Sequence, residues 1–199
     1  FGGKKMTSAP PVNALKSLRE SILSSGFNTP DPVDNFCMVS GHGLIVIADG
    51  KDVFIPGIMQ HVERAGVHSG DSIAVYPPYN LTDKMMQVVV DCSRQLALAL
   101  GTRGLVNIQY LIYRNELFVI EVNPRASRTV PYLSKVTGIP MVDVATRIMM
   151  GQSLLELGYP PGLSKTPPYY AVKVPVFSFE KLSDANYALG PEMKSTGEV

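Results

Sequence analysis

The spacing of apolar positions changes along the chain, and each change marks a predicted element. Between Thr82 and Leu100 the residues Met85, Val88, Val89, Cys92, Leu96 and Ala99 recur at helical spacing. Thr82 can cap this helix, Asp83 suits its first turn, and Gly101 stops it. Elsewhere short apolar runs dominate. Leu44–Ala48 and Asp52–Pro56 read as a hairpin turned at Asp49-Gly50, and Phe36–Val39 is also β-like. Gly57–Arg64 reads as a lead into the small, polar stretch AGVHSGDS, Ala65–Ser72. Ile73–Tyr76 is a further short strand before Pro77-Pro78. Leu105–Tyr113 and Leu117–Val122 form the main predicted hairpin, joined across Arg114-Asn115-Glu116. Val130–Val136 predicts a short helix ending at Gly138. Met141–Met150 predicts another, opened by Pro140, with a further turn over Ser153–Leu157. Pro160–Pro168 is a connection, Tyr170–Val176 a strand that Pro175 places at an edge, and Phe177–Val199 is mostly irregular. At the front, Phe1–Pro11 is irregular and Ala14–Ser24 reads as an amphipathic helix. Asn28–Asn35 is a linker. Helices interspersed with hairpin-paired strands predict an α+β fold, a largely antiparallel sheet flanked by helices.

Composition narrows the class. With 199 residues, 45% hydrophobic and 18% charged, the chain suits a globular protein with one sizeable core. A net charge of +1 gives no reason to expect nucleic acid or an anionic membrane as partner. No apolar run approaches the ~20 residues of a membrane span. Cys37 and Cys92 are too few and too distant for a disulfide framework or a zinc site, and read as reduced thiols in a cytoplasmic protein. The chain opens without Met and stops at STGEV in mid-pattern, as a piece of something longer would.

Candidate chemistry gathers at the end of the main hairpin. Antiparallel pairing can set Gln109 beside Glu121 on one face, and Asn123, two residues on, points the same way. One carboxylate and two amide oxygens suit Mg²⁺ whose remaining ligands are nucleotide phosphates. Arg125 and Arg128 can reach phosphate oxygens with forked donors. The same residues also fit a solvated hairpin end. In AGVHSGDS, Gly66 and Gly70 permit close approach of backbone N–H groups to an anion, and His68 and Ser69 add donors. His61 and Glu63 just before it can support them. A plain inter-strand turn explains that loop too. Metal, arginines and fixed donors are the parts that phosphate activation of a carboxyl-type acceptor requires, and no side-chain nucleophile is needed.

Longer strings carry a family likeness. IPGIMQHVERAGVHSGDS (Ile55–Ser72), GLVNIQY (Gly104–Tyr110), FVIEVNPRASRTVPYLSKVTGIPMVDVATRIMMGQSL (Phe118–Leu154) and LGPEMKSTGEV (Leu189–Val199) resemble the large subunit of carbamoyl phosphate synthetase. EVNPRASRTVPYLSK with the closing GPEMKSTGEV looks like the second of its two ATP-grasp halves, which phosphorylates carbamate. The resemblance implies the C-terminal lobe of an ATP-grasp fold over residues 44–199, with residues 1–43 a poorly matched N-terminal segment. A connection toward a C-terminal allosteric domain would follow. It implies ATP with Mg²⁺ or Mn²⁺, bicarbonate and carbamate as substrates, and two partners: the remainder of the large subunit and a glutaminase subunit or domain. By position, Gln109 and Glu121 would bind a divalent metal and Asn123 would join Glu121 at a second. Gly66, Val67, His68 and Ser69 would approach the nucleotide. Arg125 and Arg128 would contact the phosphate or the carbamate. The family's acidic ribose contact falls before Leu44, where this chain reads Ser40-Gly41-His42-Gly43. The alternatives are another ATP-grasp carboxylate–amine ligase, or an incomplete fragment serving as a structural or oligomer surface.

Overall fold

The computed structural model describes residues 40–178 and 188–199. The expected helix at Ala14–Ser24, the linker, the strand at Phe36–Val39 and Cys37 lie outside the described residues. Elements run in the order β1 (Ser40–Asp49), β2 (Val53–Arg64), β3 (Ala74–Tyr76), α1 (Asp83–Ala99), β4 (Arg103–Tyr113), β5 (Glu116–Asn123), α2 (Thr129–Thr137), α3 (Met141–Met149), β6 (Gly162–Leu163) and β7 (Ala171–Lys173). The strands form one sheet in the order β5-β4-β1-β2-β3-β7, antiparallel throughout. The short β6 adds a parallel pairing beside β2.

The central strand explains the sheet. Successive side chains on β1 point to opposite faces. Leu44, Val46 and Ala48 enter one core with Val89, Leu96, Val106, Ile108 and Tyr110. Ile45 and Ile47 enter a second core with Leu133, Met141, Val144 and Ile148. Helix α1 therefore covers one face and α2 with α3 the other. A strand buried on both faces has no polar side, so LIVIA is an unbroken apolar run. Thr82 caps α1 as expected, its Oγ1 accepting from Met85 N at 3.2 Å. Tyr110 reaches through the α1-side core to Ser93, their hydroxyls 2.8 Å apart, so the phenol is buried with its hydroxyl partnered.

Four boundaries differ from expectation. β2 does not end at Pro56 but runs to Arg64, and Ser40–Gly43 belongs to β1. The pairing slips between Ile45, opposite Gly57, and Ile47, opposite Phe54. The extra β2 residue is a bulge that accommodates a proline with no N–H to donate. Gly57 follows because the Tyr76 ring lies on the strand there, and a Cβ would sit 2.3 Å from a ring carbon. The β4–β5 turn has two residues, not three, with Arg114 and Asn115 both at positive φ (49° and 62°). β7 covers only Ala171–Lys173 of the expected Tyr170–Val176, and it is the sheet edge that Pro175 suggested.

Asp49 ties the β1–β2 turn to the rest of the molecule. Its Oδ1 accepts from Lys51 N and Asp52 N, and its Oδ2 accepts from Leu154 N at 2.9 Å. Burial works to raise the carboxyl pKa, but these backbone donors and Arg103 hold it below the usual value.

Candidate functional site

The site begins with a defect in the β4–β5 ladder. Leu117 and Val119 face the α1-side core. Strict alternation would send Glu121 and Asn123 the same way. Instead Tyr110 pairs with Val119 and Gln109 with Glu121, which leaves Ile120 as the extra residue of a bulge. Past it the parity reverses. Val122 takes the core side with Ile108, while Glu121 and Asn123 turn to the opposite face beside Gln109 and Asn107. The bulge thus places an acid and three amides on one patch of sheet.

Three other segments close around this patch. The turn from β5 into α2 brings Arg125, Ser127 and Arg128. The loop between β2 and β3 brings His68, Ser69 and Gly70. The C-terminal stretch brings Met193, Gly197 and Val199. Together with Lys173 from β7 they line a cavity of about 330 Å³. Gln109 Nε2 donates to Ser69 Oγ at 3.2 Å, linking the hairpin to the loop. His68 Nδ1 accepts from Gly70 N at 3.0 Å, so Nε2 is the nitrogen of the neutral ring that carries the proton. Lys173 is 7% exposed, and its Nζ donates to Ser69 O at 3.0 Å. Burial lowers its pKa, while the nearby carboxylates of Glu63 and Asp71 pull it back up.

Seven of the nine residues that the resemblance assigns to the site line this one cavity: His68, Ser69, Gln109, Glu121, Asn123, Arg125 and Arg128. Gly66 and Val67 do not. They border a separate hollow of about 120 Å³ with Gly41, His42 and His61, and Gln109 is common to both spaces. The reason is the loop's own folding. Gly66 takes φ +98°, Val67 N bonds back to Arg64 O, and this half of the loop faces Tyr110 and Ile120 rather than Glu121 and Asn123. His61 and His42 lie buried, with His61 Nε2 and both ring nitrogens of His42 unpartnered, and burial pushes both pKa values down to about 4.

Sequence reasoning missed Asn107, Lys173 and Asp71. Asn107 was legible in principle, as the residue two before Gln109 on the same strand. Lys173 carried one signal, a lysine within the apolar run YAVKVPV. Asp71 lies inside AGVHSGDS and was read only as part of a polar loop.

Comparison with known proteins identifies the family. Residues 43–157 match the family model "Carbamoyl-phosphate synthase L chain, ATP binding domain". The chain belongs to this family. Among carbamoyl phosphate synthase large chains, that of Clostridium perfringens strain 13 is 49% identical over 199 residues, all of this chain and 19% of its own length. That of Lachnoclostridium phytofermentans is 49% identical over 198 residues, again 19% of its length. The likeness to these relatives therefore includes residues 1–43, and the chain spans about a fifth of each. The fold resembles the biotin carboxylase domain of a single-chain bacterial carboxylase, with TM-score 0.62 and 16% identity over 88% of this chain and 44% of that one. Kluyveromyces lactis urea carboxylase gives TM-score 0.61 and 18% identity over 81% of this chain and 14% of that one. These neighbours share the α+β architecture, an antiparallel sheet with a few helices. Among the described residues no helix of this family member is long and apolar enough to cross a membrane.

Proposed function

We propose that the cavity receives the metal-bound triphosphate of ATP. We further propose that the chain supplies this half-site to the second, carbamate-phosphorylating unit of a cytoplasmic carbamoyl phosphate synthase. The observation that carries the reading is the direct pairing of Gln109 with Glu121, with Asn123 turned to the same face by the bulge and two arginines on the adjoining turn. In this reading the remainder of the large chain closes the nucleotide site. A glutaminase subunit or domain supplies ammonia, and bicarbonate is the carbon source.

The donor set fits a hard divalent cation, Mg²⁺ or Mn²⁺. Glu121 offers a carboxylate, and Gln109 and Asn123 offer amide oxygens. Gln109 spends its amide nitrogen on Ser69, which leaves its oxygen for a cation. When bound, the cation neutralises charge on the phosphates. The chain's own residues do the rest. Arg125 and Arg128 take up charge on the phosphoryl group being transferred, and Lys173 adds a further cation to the same cavity. The His68–Gly70 loop offers the imidazole N–H and the Ser69 hydroxyl. The acceptor is a carboxylate oxygen of the substrate, so the cavity needs no nucleophile of its own.

Calorimetric titration of Mg²⁺-ATP into the chain, with Glu121→Ala as control, tests this reading. Binding heat that vanishes in the variant is the expected result. Equal heat from both proteins would exclude Glu121 from the metal site.

A further inference from the structure

The cavity is finished by a segment that the proposed chemistry does not use. Residues 188–199 run across the His68–Asp71 loop and are pinned to it at four points. His68 N donates to Gly190 O at 2.8 Å, and Ser195 Oγ donates to Gly70 O at 3.1 Å. Asp71 makes the other two contacts. Its Oδ2 accepts from Lys194 N at 2.7 Å and its Oδ1 from Ser195 N at 2.8 Å, so one carboxylate grips two consecutive backbone N–H groups. Asp71 is 1% exposed and is not among the residues lining the cavity. What it holds does line the cavity. Met193 contacts the Arg128 guanidinium, and Gly197, at φ +88°, lets that guanidinium lie against the strap. A Cβ there would stand 3.2 Å from Arg128 Nη1.

We propose that Asp71 is a positioning residue that docks the C-terminal strap, and that the docked strap sets Arg128 and the His68–Ser69 loop for polyphosphate. This rests on the reading of the cavity as a triphosphate site. Docking and polyphosphate binding are then linked, each favouring the other. Asp71→Asn keeps the shape but replaces one acceptor oxygen with an NH₂ group. That group faces a backbone N–H it cannot accept from, so one of the two grips is lost.

The probe is inorganic tripolyphosphate with Mg²⁺, titrated by calorimetry into the full chain, alongside hydrogen exchange at the amides of Lys194 and Ser195. In the unsubstituted chain, tripolyphosphate slows exchange at these two amides. In Asp71→Asn both exchange faster, protection by the ligand is lost, and affinity falls roughly ten-fold, the worth of one charge-assisted hydrogen bond. Exchange along β4 and β5 stays unchanged, which separates undocking from unfolding. A second variant ending at residue 191 keeps Asp71 and removes its partners. It shows a loss at least as large, and adding Asp71→Asn to it changes nothing further, because Asp71 acts only through the strap. Full affinity in Asp71→Asn would overturn the positioning role and leave the triphosphate site standing, as would additive losses in the double variant. Absence of binding by the unsubstituted chain would overturn both.

Discussion

Replacing Lys173 with Met tests the part of the site that the sequence concealed. Methionine keeps an unbranched side chain in the same slot and deletes the charge. Lys173 Nζ has a fixed partner in Ser69 O, 3.0 Å away, and it lines the same cavity as the arginines. Its other protons are the ones available to an anion. A hydrogen bond from an ammonium to a phosphate oxygen contributes about 1.5–3 kcal/mol net. Lys173→Met therefore weakens Mg²⁺-tripolyphosphate binding roughly ten- to hundred-fold. Folding stability changes by less than about 1 kcal/mol, because the lost bond to Ser69 is offset by relief from burying a charge. Lys173→Arg keeps the charge and recovers most of the affinity. The pH dependence gives an independent signature. Burial holds the Lys173 pKa below the ordinary lysine range, and the cationic form is the one that binds anions. Affinity in the unsubstituted chain declines with rising pH before a free lysine would titrate, and Lys173→Met lacks that phase. The assay is calorimetry at stepped pH, with urea unfolding of each variant as the control for the fold. Unchanged affinity in Lys173→Met, or an identical pH profile, would refute the reasoning and leave Lys173 a support for the Ser69 loop alone.

Two further predictions concern the scaffold. Asp49→Ala deprives the buried Leu154 N–H and two turn N–H groups of their acceptor, which costs about 2–4 kcal/mol in urea unfolding at pH 7. The folded-state pKa of Asp49 is depressed, so its contribution is full above the unfolded carboxyl pKa and drains as pH falls through the folded value. The Asp49→Ala deficit therefore shrinks in acid, and a deficit equal at pH 7 and pH 3 would contradict the assignment. His42 and His61 titrate near 4 in the fold against 6.5 in the unfolded chain. Protons then bind the unfolded chain first, and stability falls as pH drops from 6.5 toward 4, by on the order of 3 kcal/mol for each ring. His42→Leu flattens this slope and raises stability at pH 5, because neither ring nitrogen of His42 has a partner to lose. A steeper slope in that variant would show that His42 is not buried neutral.

Much of this site could be read before any coordinates. A helix with a cap, a two-stranded hairpin and a cluster of acid, amides and arginines each leave a local pattern. Gln109, Glu121, Asn123, Arg125 and Arg128 lie within 20 residues of one another, so the hairpin alone brings them together. What stayed hidden depends on long-range packing. Lys173 joins from 104 residues beyond Ser69, on an edge strand whose short run carries no period. Asp71 acts on a strap 123 residues away, so its role has no local signal. The bulge at Ile120 is the most instructive case. Leu117, Val119, Glu121 and Asn123 share one parity in the sequence, yet they separate onto two faces because one residue is left out of the pairing. Gly66 and Val67 show how a loop can divide between two spaces. They share a loop with His68 and Ser69, but a positive-φ glycine turns them into a different hollow.

Mn²⁺ can replace Mg²⁺ at oxygen ligands and broadens the magnetic resonance signals of nearby nuclei, so it locates the metal directly. Added with tripolyphosphate to isotopically labelled chain, Mn²⁺ should selectively broaden the side-chain amides of Gln109 and Asn123 and the backbone amide of Glu121. Glu121→Ala should abolish the effect. Broadening centred on another part of the sheet, or broadening at Gln109 and Asn123 that survives Glu121→Ala, would contradict the account.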